Sequence, residues 1–237
     1  MGVYRNIYRR RKIAGQGTVF DGSSYIAAQV GAGYGRLALP TTAITISYWI
    51  QLPSGPVTGT YLELTGANGA SGNRMWRCVP SAARRPSMGN LQLDTGDTGG
   101  VNGVSNIGAA TWAFVVHRWS EGDGNILNDK FNMTGHLESK VTAVTGSNFN
   151  YAAFDGLKIN FGAGRSGSST PSSPDESTLW DVRIFDVFLD FHDMAKLVTG
   201  DFDGRQPVMA MPLDGNYGQR DIYGRGITID EIRKSVV

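Results

Sequence analysis

The sequence predicts an all-β protein built as an antiparallel sandwich or barrel. Two features of its composition favour this class: glycine contributes 32 of the 237 residues, and charged residues make up only 18%. Such a chain suits many short strands joined by turns, and it excludes a disordered chain, a coiled coil and a charge-rich helical bundle. The third observation is a series of short runs rich in β-branched and aromatic residues.

The alternation typical of a strand is clearest at 44–52 (ITISYWIQL), with isoleucine or tyrosine at every second position from 44 to 50. Strands are predicted in this run and in further runs of similar composition: 61–64, 74–79, 90–93, 112–119, 157–161 and 179–185. Gly, Asn, Ser and Pro cluster between the runs, and the Asn-Gly pairs at 68–69 and 102–103 are typical of tight hairpin turns.

One short helix is predicted at 190–199. Asp190 is a suitable N-cap, and Asp193 falls in the first turn, where the helix dipole favours a negative charge. An apolar stripe at helical spacing follows: Met194, Leu197 and Val198. Gly200 then supplies a C-terminal stop, and a helix this short must dock on a sheet to be stable.

The N-terminal segment is basic: residues 1–12 contain five cations, no acid and interleaved aromatic residues. The residues expected to form a partner-docking arm are Tyr4, Arg5, Tyr8, Arg9, Arg10, Arg11 and Lys12. The remaining residues, 13–237, carry a net charge of about −4, so a basic arm precedes a mildly acidic body. We expect the arm to span 1–14 and to dock on protein, with DNA contact disfavoured; the alternative is a solvated terminus.

The single cysteine, Cys78, excludes an intramolecular disulfide. No apolar run approaches the ~18 residues of a membrane span, and the basic start lacks the apolar segment of a secretory signal. We therefore expect no membrane insertion, and folding in a cytoplasm.

The order of several motifs resembles that of laminin G-like, concanavalin A-like jelly-roll domains. Residues 19–26 (VFDGSSYI) resemble the opening strand with its Phe-Asp-Gly turn, and 111–118 (TWAFVVHR) resemble the strand that begins with Trp. Residues 157–162 (LKINFG) resemble a strand ending in Ile-Gly, and 179–189 (LWDVRIFDVFL), followed by the helix, match best. The resemblance covers roughly 19–200 and implies two curved antiparallel sheets in a jelly roll.

The resemblance also bears on the domain organisation. Residues 209–226 resemble a strand that such domains often carry at their start, so they are expected to add an edge strand. The expected organisation is the arm followed by a single jelly-roll domain at 15–237, with a C-terminal extension strand from about 207.

Catalysis is not expected. Glycosidases need two carboxylates at a set separation, and the best carboxylate-bearing strand offers only Asp181 and Asp186, five residues apart and therefore on opposite faces. The histidines at 117, 136 and 192 lack a Gly-x-Ser-x-Gly partner. His117 is expected to be structural. We therefore predict a protein that is not an enzyme and needs no cofactor.

Two kinds of binding residue stand out. The segment 121–129 (EGDGNILND) is a weak calcium candidate through Asp123 and Asp129; a solvated polar turn is the favoured alternative. Trp76 and Trp119 are candidates for stacking on a sugar, because they do not match the positions of the family's structural tryptophans. The tryptophans that do match are expected in the core: Trp49, Trp112 and Trp180.

Two function hypotheses follow. The first is a non-catalytic virion structural protein, a phage capsid decoration or tail-associated protein, since virion proteins of phages often use such jelly rolls. It would dock on other virion proteins through its arm and sandwich surfaces, gaining avidity on a lattice, as a homo-oligomer with a trimer weakly favoured. The alternative is a glycan-binding module that mediates adhesion to a host-surface glycan.

Overall fold

The computed structural model describes residues 17–22, 25–30, 43–54, 60–66, 74–80, 86–89, 91–93, 96–98, 106–120, 125–132, 134–144, 157–163, 176–200, 202, 204, 207, 209–211, 213 and 227–233. Within these residues the strands are β1 (Thr18–Asp21), β2 (Tyr25–Val30), β3 (Ala43–Gln51), β4 (Leu62–Gly66), β5 (Arg74–Pro80), β6 (Pro86–Gly89), β7 (Leu91–Leu93), β8 (Gly96–Thr98), β9 (Trp112–Ser120), β10 (Asn125–Phe131), β11 (Leu137–Val144), β12 (Leu157–Phe161), β13 (Glu176–Phe185), β14 (Met209–Met211) and β15 (Ile227–Arg233). The helix, α1, is Phe191–Thr199.

The strands form two large antiparallel sheets, as predicted. The first sheet has the order β1-β13-β3-β9-β10-β11, and β14 pairs with β13. The second sheet has the order β15-β2-β12-β4-β5-β6, and β7 and β8 form a separate two-stranded sheet. The chain passes from the first sheet to the second between β1 and β2, at the Phe-Asp-Gly turn, where Gly22 has a left-handed φ of 78°. The prediction of a two-sheet jelly-roll sandwich is confirmed.

The first sheet is buried on both faces. Seven consecutive residues of β3, from Ile44 to Ile50, are buried, so the alternation in the sequence separates two buried faces rather than an inside and an outside. On the outer face, aromatic residues form a cluster with the helix: Trp49, Trp112, Phe114, Val116, Phe131, Trp180, Phe185, Leu189, Met194, Leu197 and Val198. The three tryptophans expected in the core lie in this cluster.

The helix forms where the sequence predicts it. The Asp190 side chain accepts a hydrogen bond from the Asp193 backbone N–H at 2.8 Å, and Gly200 ends the helix with a φ of 77°. The predicted apolar stripe is its buried face. No helix within the described residues has the length and apolarity to cross a membrane.

The hairpin between β10 and β11 closes on an asparagine. The Asn132 Oδ1 atom accepts hydrogen bonds from the backbone N–H groups of Thr134 and His136 and from the Thr134 hydroxyl, at 2.7–3.0 Å. Gly135 adopts a left-handed φ of 82° and donates to the Asn132 carbonyl oxygen. The asparagine side chain thus organises a turn that lacks an Asn-Gly or Asp-Gly pair.

Candidate functional site

The outer face of the first sheet is covered over β3 and β9 by the segment before the helix. The Thr45 hydroxyl donates to the Val187 carbonyl oxygen at 2.7 Å and accepts from the Leu189 N–H at 3.0 Å. Arg118 donates to the Leu189 carbonyl oxygen at 2.8 Å and lies over the Phe188 ring, 4.7 Å from its centroid. These contacts hold 187–189 against the sheet and place the helix over the aromatic cluster.

The two faces of the second sheet differ in polarity. Strand register places mainly apolar residues on one face: Ile227, Ile229, Ile232, Ile26, Ala28, Leu157, Ile159, Phe161, Leu62, Leu64, Trp76, Cys78 and Met88. The opposite face is mostly polar in its residue types: Thr228, Glu231, Arg233, Tyr25, Ala27, Gln29, Lys158, Asn160, Glu63, Thr65, Arg74, Arg77, Val79 and Ser87. We assign the apolar face to the interior of the sandwich, because packed sheets bury their apolar faces against each other. By this assignment the polar face is the outer one, and its side chains at Tyr25, Glu63 and Asn160 are nevertheless buried.

Glu63 and Asn160 lie at the centre of this outer face. They are register partners on β4 and β12, and both are fully shielded from solvent. The Asn160 Nδ2 donates to the Glu63 Oε2 at 3.3 Å, an orientation fixed by the carboxylate, which only accepts. The Asn160 Oδ1 consequently points elsewhere, and it has no hydrogen-bond donor in the described part of the chain. A buried acceptor without a donor is costly and marks a position of interest.

A hydroxyl–imidazole chain links the two sheets at their interior. The Tyr48 hydroxyl lies 2.7 Å from the Tyr61 hydroxyl and 2.6 Å from the His117 Nε2, and all three residues are fully buried. Tyr48 and His117 belong to the first sheet, whereas Tyr61 immediately precedes β4 of the second sheet. His117 is therefore a structural residue, as the sequence predicted, because it helps to satisfy polar groups between the sheets.

The calcium candidate Asp129 is part of a buried ion pair. It lies within β10, and its Oδ2 accepts from the Nε and Nη2 of Arg118 at 3.1 and 2.6 Å. An oxygen engaged by a guanidinium beneath the helix is not a ligand at a sheet rim, which corrects the calcium hypothesis for Asp129. Asp123 lies outside the described residues, among which no cluster of three metal-ligating side chains occurs.

Burial gives this carboxyl group an unusual pH dependence. Desolvation raises the pKa of Asp129 above its ordinary value of 3.8, although the positive charge and hydrogen bonds of Arg118 oppose the shift. Between the unfolded and the folded pKa, the folded state binds more protons than the unfolded state. The stabilising contribution of this titration is therefore fully present below pH 3.8 and is lost as the pH rises through the folded pKa.

Urea unfolding of the wild type and of Asp129→Asn between pH 3.8 and neutrality tests whether folding raises the pKa of Asp129. The stability advantage of the wild type over the variant should shrink as the pH rises from 3.8 toward neutrality, because the amide does not titrate. An advantage that grows with pH would mean that attraction to Arg118 outweighs desolvation.

The structure corrects one of the two proposed sugar-stacking residues. Trp119 is fully buried on the inner face of the first sheet, opposite Ile44, so its ring is not available to a sugar. Trp76 occupies a register position opposite Leu64, on the apolar face of the second sheet. The residues of the proposed arm lie outside the described residues.

The pairing of Glu63 with Asn160 is not among the predictions from the sequence. A usable signal was present, since each is the polar residue at the middle of a short apolar run, LEL at 62–64 and INF at 159–161. Their 97-residue separation concealed that the runs are neighbouring strands.

No protein-family model and no curated protein matches the chain. Solved structures match by fold. A proposed carbohydrate binding protein from Bacteroides ovatus has a TM-score of 0.59 at 15% identity; the match covers 92% of this chain and 58% of that one. The CBM40 module of a Ruminococcus gnavus IT-sialidase, bound to α2,3-sialyllactose, has a TM-score of 0.56 at 11% identity; the match covers 77% of this chain and 97% of that one. A heptameric pentraxin from Limulus polyphemus has a TM-score of 0.50 at 13% identity; the match covers 88% of this chain and 95% of that one.

This chain thus spans little more than half the length of the Bacteroides ovatus protein. At such low identities the likeness concerns the fold alone, and it shows that the chain adopts a jelly-roll sandwich.

Proposed function

We propose that the protein is a glycan-binding module and that it binds sugar on the outer face of the second sheet, without catalysis. The observation that carries the proposal is the contrast between the two outer faces. One is covered by a helix and an aromatic cluster, whereas the register places at least one polar residue of each of the six strands on the other. Sugars are recognised by convergent hydrogen-bonding groups, which a polar sheet face supplies.

Two further observations support the proposal. The matching structures include a sialidase module with a bound sialylated sugar and a proposed carbohydrate binding protein. Glu63 and Asn160 are fully buried on this face and hydrogen-bonded to each other, so they would support the sheet beneath a sugar rather than contact the sugar directly. Asp181, a carboxylate weighed for catalysis, is instead held by Arg183 through two hydrogen bonds of 2.9 and 2.6 Å.

The hypothesis of a virion structural protein stays a prediction. Its main support, the basic arm at 1–14, lies outside the described residues, and the matching structures do not bear on it.

A steric block tests the proposal. Ala27 sits between Glu231 and Asn160 in the register of the outer face, so Ala27→Trp should fill that face. The full-length wild type should bind members of a glycan array, and Ala27→Trp should lose at least tenfold in affinity. His192→Trp is the matched control, since His192 is exposed on the helix and its replacement should leave binding unchanged.

Thr65 lies on the same face, opposite Lys158 on β12. Thr65→Trp therefore provides a second steric block if Ala27→Trp does not fold. A wild type that binds no glycan, or well-folded blocked variants that bind normally, would refute the proposal.

A further inference from the structure

The first sheet ends at an accessible edge strand. Among the strands that the structure describes, β11 pairs with β10 alone and stands at one end of the strand order. Three of the first four residues of β11 are exposed: Leu137, Glu138 and Lys140. An edge strand offers its backbone N–H and C=O groups to a further strand, unless charge or irregularity prevents the approach.

The exposed charges on this edge complement a second copy of themselves. Glu138 and Lys140 have opposite charges and flank Ser139. If two copies of β11 pair antiparallel with Ser139 at the centre, each Glu138 lies opposite the Lys140 of the other copy. This register forms two opposite-charge pairs, whereas a register centred on Lys140 would place two lysines opposite each other.

Glu138 has the capacity to accept a second cation. Its Oε2 lies 2.9 Å from the Nζ of Lys130, yet 42% of its side chain remains exposed. An ionised carboxylate has two acceptor oxygens and binds more than one donor. Glu138 also has no register partner on β10, because the pairing of the two strands is irregular at this position. The ion pair within the chain therefore leaves Glu138 accessible to a cation from outside.

An exposed apolar patch borders the same edge. The described part of the chain has three exposed large apolar side chains, and two of them lie here: Phe191, 53% exposed, and Leu137, 36% exposed. Both adjoin the buried Phe131, whose ring centroid is 5.9 Å from that of Phe191 and whose register partner is Leu137. Exposed apolar side chains beside an open strand edge are typical of a protein interface.

We propose that the protein forms a dimer through β11, in which two copies of this strand pair antiparallel about a two-fold axis at Ser139. A second copy of this chain fits the edge because Glu138 and Lys140 complement their own counterparts, as an isologous interface requires. The pairing joins the two first sheets into one continuous sheet. The axis runs perpendicular to that sheet, so both helices lie on the same side of it.

The dimer would also place its two second sheets together, on the side opposite the helices. One consequence rests on the proposed glycan-binding function: two sugar-binding faces would point in the same direction and bind a multivalent glycan with avidity. The dimer itself does not depend on that function, and its test involves no glycan.

Sedimentation velocity of the full chain over a range of concentrations measures the assembly. We expect a reversible dimer, because pairing at one strand edge buries less surface than a permanent interface. Lys140→Glu turns both attractive pairs into repulsive ones and should raise the dissociation constant about tenfold. Exchanging the charges, Glu138→Lys with Lys140→Glu, should restore the wild-type value. Glu176→Lys is the control, since Glu176 is exposed on β13, away from this edge.

A cysteine at the two-fold axis tests the register. Ser139→Cys would place two thiols opposite each other, where the Cα atoms of paired strands lie about 4.5–5.5 Å apart, within the span of a disulfide. Mild oxidation should therefore give a covalent dimer on a non-reducing gel. Thr134→Cys, exposed in the hairpin before β11, should stay monomeric on the gel, as should the wild type, whose single cysteine is Cys78.

The contrary outcomes are distinct. A chain that stays monomeric at every concentration, or that forms a trimer, would overturn the proposal; a monomer would mean that the charges and the irregularity of β11 protect the edge from pairing. A dimer that is unaffected by Lys140→Glu, not restored by the charge exchange or not cross-linked by Ser139→Cys would assemble through another surface. Thermal unfolding of each variant verifies folding, and the charge and cysteine variants are independent of each other.

Discussion

Replacing Gly162 with alanine is expected to lower the free energy of unfolding by about 4 kcal/mol. Gly162 directly follows β12 and has a left-handed φ of 78°, a backbone conformation that is strained for a residue with a Cβ atom. A Cβ atom there would also overlap the ring of Phe20, which is buried. The strain and the overlap act together because the Gly162 N–H donates to the Tyr61 carbonyl oxygen at 2.9 Å and holds the backbone in place.

Urea unfolding measures this loss, and Gly108→Ala is its matched control. A Cβ at Gly108 would meet the Thr111 hydroxyl at 3.0 Å, at an exposed site where that side chain can rotate away. Its cost should be within about 0.5 kcal/mol of zero. A similar stability for Gly162→Ala and the wild type would contradict the close contact between β12 and β1.

The second large effect is expected from Asp129→Ala, which should cost about 3–5 kcal/mol at neutral pH. The variant leaves the guanidinium of Arg118 buried without its carboxylate, and an uncompensated buried charge is strongly destabilising. Arg118 also holds the Leu189 carbonyl oxygen, so its displacement would loosen the segment before the helix.

Two comparisons isolate the buried charge as the cause. Glu138→Ala removes the exposed partner of Lys130 and should cost no more than about 1 kcal/mol. Replacing both partners by apolar residues, Arg118→Met with Asp129→Leu, should recover most of the loss measured by urea unfolding. If Asp129→Ala costs no more than Glu138→Ala, the pair does not organise this side of the sheet.

The elements predicted most completely are those whose signals are local. Asp190, Gly200 and the apolar stripe between them specify α1 within about ten residues, and the structure reproduces each of them. The strands β3 and β9 were also predicted, because β-branched and aromatic residues are concentrated there.

The predictions that failed depend on distant partners. Residues 125–129 resemble a polar loop, yet they belong to β10, where Asp129 pairs with Arg118 of the neighbouring strand. Alternation also does not reveal which face of a strand is inner, which is why Trp119 was misassigned. The pairing of Glu63 with Asn160 requires the order of the strands in the second sheet, which no local pattern contains.

The most direct measurement is a crystal structure of the full chain with the tightest ligand from the glycan array. We expect sugar density over β4 and β12, on the polar face that carries Glu63 and Asn160. Sugar bound instead over the helix side of the first sheet, or at loops away from the second sheet, would contradict the proposed site.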